Sequence, residues 1–155
     1  MNSAIEELYS LLVPLANERL IVPRACVAEV VRYARPEAPS EGPSWYLGRF
    51  SWNGRDLPLI SFEAALKAQV PESTGRTRVV VFHSTTDKMR GQYFGLVTQG
   101  FPQLVRVNSE VLKLDDQVSW ADDVPVLCHV RMINEYPLIP DLEQIESMLA
   151  ELEKT

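Results

Sequence analysis

The chain has 155 residues, 46% of them apolar, with 21 acidic against 15 basic side chains and a formal charge of −6. That apolar content excludes disorder as the default, and the length suits one domain or two small subdomains sharing a core. The acidic balance argues against sequence-independent nucleic-acid binding, which needs a basic footprint, and against adhesion to anionic membrane surfaces. The two cysteines, Cys26 and Cys128, stand far apart, and no Cys-x-x-Cys or His-x₃-His spacing occurs. No zinc site is expected, and buried, reduced thiols are. No apolar run approaches the roughly 20 residues that span a bilayer, and no basic segment precedes an apolar core at the N-terminus. Neither membrane insertion nor secretion is expected, and cytoplasmic residence follows.

In chain order, Met1 to Glu7 reads as a short arm and Leu8 to Leu15 as a strand, with Pro14 suggesting a sheet edge. Leu20 to Val22 returns as a strand. Pro23 suits the first position of a helical turn over Arg24 to Val27, and Glu29 to Tyr33 reads as the next strand. Pro36, Pro39, Gly42 and Pro43 make residues 35–44 an exposed loop.

The stretch from Trp45 to Phe62 carries the strongest local signal. Asn53-Gly54 lies between two apolar-rich runs, and a type I′ turn needs positive φ at both of its central residues. A two-residue loop places Trp52 opposite Arg55, Phe50 opposite Leu57 and Gly48 opposite Leu59 on one side of the ribbon. Ser51 with Asp56, Arg49 with Pro58 and Leu47 with Ile60 share the other. Ser61 is a candidate cap for a short helix ending near Gln69, and residues 70–76 form the best linker.

In the second half, Thr77 to Phe82, Tyr93 to Thr98 and Leu104 to Ser109 read as strands separated by a polar turn at 84–91 and a break at Gly100-Phe101-Pro102. Lys113 to Asp123 reads as a polar, acidic loop, and Val126 to Ile133 with Glu135 to Ile139 as a hairpin turning near Asn134. Leu142, Ile145, Met148, Leu149 and Leu152 recur at helical spacing, with Asp141 and Gln144 as a capping box and Glu143 and Glu146 suiting the helix dipole. Roughly ten short strands and one terminal helix predict a mainly β fold, and the linker suggests two small barrels, over residues 8–70 and 77–139, followed by a helix over 141–153.

Chemistry is sparse. No phosphate-binding glycine loop or nucleophile elbow is present. Cys128 and His129 are neighbours on one strand, so they point to opposite faces. A thiol-dependent hydrolase or transferase built on Cys26 or Cys128 stays open as an alternative, as does a generic barrel gripping Pro-rich peptides through Trp45 and Trp52. Asp115-Asp116 and Asp122-Asp123 lack the spacing and the glycine of a calcium loop. No metal or cofactor is expected. Trp52 and Arg55 together have the composition of a protein–protein hot spot.

Leu20-Ile-Val-Pro-Arg-Ala-Cys-Val-Ala-Glu-Val-Val-Arg32, Leu47-Gly48, Asn53-Gly54 followed by Leu57-Pro58-Leu59-Ile60, and Phe94-Gly95-Leu96-Val97 with Gly100 follow one another in an order that resembles CheW-like coupling domains. The similarity spans about residues 8 to 150 and is greatest to the divergent form associated with chemosensory control of type IV pili and twitching motility. It implies two five-stranded SH3-like barrels over a shared core and a non-enzymatic adaptor. Its implied partners are the cytoplasmic tip of a chemoreceptor and the regulatory domain of a histidine kinase. By position it carries Val27 and Glu29 into the partner-binding set, which with the hairpin residues Phe50, Trp52, Asn53, Gly54 and Arg55 makes the candidate site. Two residues depart from the family pattern: Asn53 stands where an arginine is usual, and Gln99 where an aspartate often precedes the glycine.

Overall fold

The computed structural model describes residues 7–89, 91–115 and 119–154. The strands are β1 (Leu8–Pro14), β2 (Arg19–Pro23), β3 (Val27–Arg32), β4 (Tyr46–Trp52), β5 (Arg55–Ile60), β6 (Arg78–His83), β7 (Tyr93–Thr98), β8 (Gln103–Val107), β9 (Lys113–Asp115), β10 (Val126–Arg131) and β11 (Leu138–Pro140). A 3₁₀ turn covers Arg24–Cys26, and two helices, α1 (Phe62–Ala65) and α2 (Leu142–Glu153), complete the order. One sheet runs β3-β6-β7-β5-β4 and the other β8-β1-β2-β11-β10-β9. These are the two SH3-like barrels, called here the first and the second.

The barrels do not follow the linker. β3 to β5 lie before residues 70–76 and β6 and β7 after them, yet all five make one sheet; β1 and β2 join the C-terminal strands in the other. The division into 8–70 and 77–139 is therefore corrected. A loop can look like a boundary when it merely joins consecutive strands of one barrel, here β5 and β6, which β7 separates in the sheet, and pairing partners distant in sequence leave no local trace. The second barrel also has six strands instead of five, because β9 forms inside the stretch read as a polar loop.

Apolar side chains form three layers. Phe50, Leu57, Leu59, Val79, Val81 and Val97 fill the first barrel, and Leu12, Ile21, Val107 and Val130 the second. Between the barrels lies a larger shared core including Val13, Leu20, Val22, Ile60, Val80, Phe82, Phe94, Leu96 and Leu138. Alternation along β6 sends Val79 and Val81 inward and Val80 and Phe82 to the shared core. A strand buried on both sides has no polar face, which is why residues 79–82 read as one apolar run.

Several local expectations shift. β1 lies between β8 and β2, so Pro14 is not on an edge; it ends the strand, where its carbonyl accepts from Gln99 N at 2.9 Å. In the hairpin, the pairs at Trp52–Arg55, Phe50–Leu57 and Gly48–Leu59 form as expected, but a bulge then pairs Ile60 with Tyr46 rather than with Leu47. Gly48 in that bulge has φ +122, and an added Cβ would lie 2.0 Å from the Glu37 carbonyl oxygen. Residue 37 sits there because it exchanges two backbone hydrogen bonds with Arg49, 2.9 and 3.0 Å. α1 is capped by Ser61 and ends at Ala65 rather than near Gln69, with Lys67 at φ 71 turning the chain away.

α2 buries Ile145 and Leu149 on the shared core, with Leu142 and Leu152 beside them. Asp141 caps it by accepting from Gln144 N, but the Gln144 side chain donates to the Asp122 carbonyl instead of closing a reciprocal box. Glu146 does not serve the helix dipole at the surface; it is fully buried. Its carboxylate accepts from the hydroxyls of Ser84, Thr85 and Thr86 and from the Thr85 and Thr86 backbone N–H groups, all within 2.5–3.0 Å. Burial pushes its pKa up, but the hydrogen bonds from Ser84, Thr86 and Thr85 outweigh that, and the carboxyl sits below its ordinary value. Glu63 plays a similar part between the barrels: it accepts from Ala16 N at 3.0 Å in the β1–β2 turn and from Gln99 Nε2 at 3.1 Å after β7.

Three outcomes follow. Gly48→Ala loses about 2–4 kcal/mol in urea unfolding, because both the positive φ and the Glu37 carbonyl oppose a side chain. Glu146→Gln loses about 3 kcal/mol at pH 7, since one amide oxygen cannot serve five donors. The folded carboxyl is depressed, so its stabilisation is whole above the unfolded pKa of about 4.3 and is lost as pH falls through the lower folded value. The variant's stability therefore changes less than wild type's between pH 5 and pH 3, as followed by circular dichroism. Gln99→Asp sets a second carboxylate against Glu63 and lowers stability at pH 7 by about 2 kcal/mol, a deficit that shrinks on acidification.

Candidate functional site

The two edge strands of the first barrel, β3 and β4, approach each other at the mouth of that barrel. No ladder joins them there; side chains do. Trp52 Nε1 donates to Glu29 Oε1 at 3.0 Å, across 23 residues of sequence. The Trp52 ring meets Tyr93 of β7 at a centroid distance of 4.9 Å, and His83 of β6 meets the same Tyr93 at 5.5 Å. Arg55 lays its guanidinium 5.2 Å from the Tyr93 centroid. The result is a half-exposed cluster of Glu29, Trp52, Arg55, Tyr93 and His83 that closes the barrel seam and faces solvent.

The turn beneath it forms as its composition demands. Asn53 has φ 49 and Gly54 φ 74, both left-handed, as a type I′ turn requires. Nothing lies within 4 Å of a Cβ added at Gly54, so glycine is needed there for conformation and not for space. Trp52 and Arg55 thus point the same way, at the end of the strand pair whose Phe50 and Leu57 fill the barrel.

That geometry divides the residues expected to act together. Glu29, Trp52 and Arg55 come together, with Asn53 and Gly54 at the adjoining tip. Phe50 is only 4% exposed and belongs to the barrel interior, so it is no contact residue. Val27 packs against the shared core, away from the mouth. Residues two apart on a strand normally share a face, but a bulge between Val27 and Glu29 pairs them with Phe82 and Val81, neighbours of opposite direction. Tyr93 and His83 belong to the cluster too, and no local sequence signal points to them. Their strands are legible, but the three-dimensional closure that brings β7 under β4 is not.

The chemical alternatives find little support. Burial pushes both thiols up in pKa, the reverse of what a nucleophile needs. Cys128 packs against the second barrel's interior, while His129 Nε2 donates outward to the Tyr136 carbonyl at 2.7 Å. The apolar pocket beside Tyr33, Leu47, Val70, Pro71 and Val97, about 280 Å³, is lined by neither cysteine nor histidine. Trp45 packs on the shared core and Trp52 on the first barrel's interior, so the two do not pair as walls of one peptide groove. Among the described residues no cluster of three metal-ligating side chains occurs. Of the aspartates weighed as a cation loop, Asp116 lies outside the described residues, and Asp123 is bound to Lys67 at 2.8 Å. Among the described residues no helix is long and apolar enough to cross a membrane.

Set beside known proteins, the chain matches the family model described as "CheW-like domain" over residues 10–147. Among solved structures it is similar to the scaffolding protein TtCheW from Thermoanaerobacter tengcongensis, with a TM-score of 0.72 at 16% identity, over 90% of this chain and 88% of that one. No curated protein sequence matches it. With most of its length matched by one family model, and with the two-barrel architecture observed, the chain belongs to the CheW-like domain family.

Proposed function

We propose that the protein is a non-enzymatic cytoplasmic adaptor that couples a chemoreceptor to a histidine kinase in a chemosensory array, in a system controlling type IV pili and twitching motility. Its partners are the cytoplasmic tip of a receptor and the kinase regulatory domain. The observation that carries this reading is the mouth of the first barrel, where a tryptophan, a tyrosine, an arginine and a glutamate contact one another on the rim. Aromatic and arginine side chains held in place beforehand are what protein interfaces concentrate their binding energy on. The rim offers one negative and one positive group about the indole, so it selects its partner by charge as well as by shape. Family membership and the fold shared with a scaffolding protein support the adaptor reading. Because both barrels are packed solid, a signal passes as a change in the placement of whole partners, with little internal motion.

The test is pull-down of receptor tips and kinase regulatory domains from the same genome. Trp52→Ala weakens capture by at least about 30-fold, the scale of a hot-spot truncation, and Glu29→Lys weakens it comparably, while both variants keep the wild-type circular dichroism. Glu29→Gln, which keeps an acceptor for the indole, separates loss of charge from opening of the seam. Both variants folding and binding like wild type defeats the surface assignment, and wild type capturing neither partner defeats the adaptor reading. A second outcome concerns the thiols: at pH 6.5 Cys26 and Cys128 react with iodoacetamide more slowly than a free thiol does. Fast alkylation of either would restore thiol chemistry to consideration.

A further inference from the structure

At the end of β6 opposite His83 lies a second cluster, which the adaptor reading does not use. Arg32 of β3 and Arg78 of β6 are directly paired across the strands, so their side chains leave the same face. Like charges so placed destabilise a sheet. The chain carries more acids than bases, 21 against 15, yet among the described residues the ion pairs formed involve Arg19, Lys67, Arg106 and Lys154 and neither of these arginines. Arg78 is held in place: its Nη1 donates to the Gly75 and Thr77 carbonyls at 2.9 and 2.8 Å, and its guanidinium lies 4.4 Å from the Phe101 ring centroid. Phe101 itself is 68% exposed. A hollow of about 290 Å³ runs beside the pair, lined by Arg32, Tyr33, Thr74, Gly75, Thr77 and Arg78.

We propose that this hollow receives an acidic peptide segment of a partner protein, its carboxylates on Arg32 and Arg78 and an adjoining apolar side chain on Phe101. Charge complementarity fixes the choice. Two guanidiniums without a carboxylate partner, one already oriented with Nη2 and Nε left to donate, suit carboxylates, and a bound anion relieves their mutual repulsion. The exposed ring beside them suits a peptide, which carries apolar and acidic groups together. The site lies five residues along β6 from His83, about 17 Å at strand rise, so its occupant is separate from whatever covers the Trp52 rim.

The experiment is an amide-resolved NMR titration of the intact chain with a blocked decapeptide of glutamates around one central leucine. Arms with the lysine counterpart and with inorganic phosphate run beside it. Shifts with the acidic peptide at 50 mM NaCl gather at residues 32–35, 74–78 and 100–101, and the lysine peptide gives none there. Affinity falls at least tenfold by 300 mM NaCl, and at least tenfold in Arg32→Glu, whose exposed position spares the fold. As an independent readout, Arg32→Thr raises the melting temperature of the free protein at 50 mM NaCl, since it removes the opposed charge. Shifts elsewhere or none, binding unmoved by Arg32→Glu, phosphate occupying the same amides as tightly as the peptide, or an unchanged or lowered melting temperature in Arg32→Thr each overturns the proposal.

Discussion

Burial of the central strands on both faces is the constraint from which the rest of the molecule follows. Residues 79–82 of β6 have one set of side chains inside the first barrel and the other in the core between barrels. β1 does the same in the second barrel, with Leu12 inward and Val13 toward the shared layer. Neither barrel can be lifted from the other without exposing large apolar side chains such as Phe82, Phe94 and Leu20 to water, so the two behave as one unit. Close packing also leaves narrow tolerances: a Cβ on Gly95 would meet Leu59 and Val79 at 2.9 Å each.

Around this apolar slab, polar groups act as fasteners at the places where chain segments must be held without ladder pairing. Thr98 Oγ1 donates to the Pro14 carbonyl at 2.7 Å, and Glu63 gathers Ala16 N and the Gln99 amide, so the end of β7 is tied to the β1–β2 turn. Glu146 ties the terminal helix to the loop after β6. Trp52 and Glu29 tie the edges of the first barrel. The last of these differs in kind, because it stands at the surface. A contact that closes a barrel and also faces solvent would couple the shape of the rim to any molecule bound there. A partner that competes for the Glu29 carboxylate would loosen the seam, and one that bridges Trp52 and Glu29 would tighten it.

What could be read from sequence was what local chemistry dictates. Asn53-Gly54 announces the turn, the register of Trp52 with Arg55 follows from it, and the helical stripe from Leu142 to Leu152 identifies the last helix. The order of short motifs was enough to suggest the family. What stayed hidden depends on long-range closure. The bulge that turns Val27 away from Glu29 has no composition signal, and it separates two residues whose spacing promised a common face. Phe50 looked like a hairpin contact because an aromatic on a half-buried ribbon reads the same from either side. Glu146 looked like a surface helix charge because its five donors lie about 60 residues earlier in the chain.

The two departures from the family pattern have different physical meanings. Gln99 has a structural cause within this chain: Glu63 already supplies the negative charge at that junction, and an amide at residue 99 donates to it where an aspartate would repel it. Asn53 has a conformational cause. At φ 49 asparagine is among the few non-glycine residues that enter the left-handed region readily, so it suits the first central position of this turn. The nearest arginine, Arg55, then starts the return strand and stacks toward Tyr93 beside Trp52. A guanidinium at the turn tip would sweep freely through solvent, whereas one lying along an aromatic ring is oriented before any partner arrives. The positive charge at this hairpin therefore belongs to the same ordered cluster as the indole and the Glu29 carboxylate.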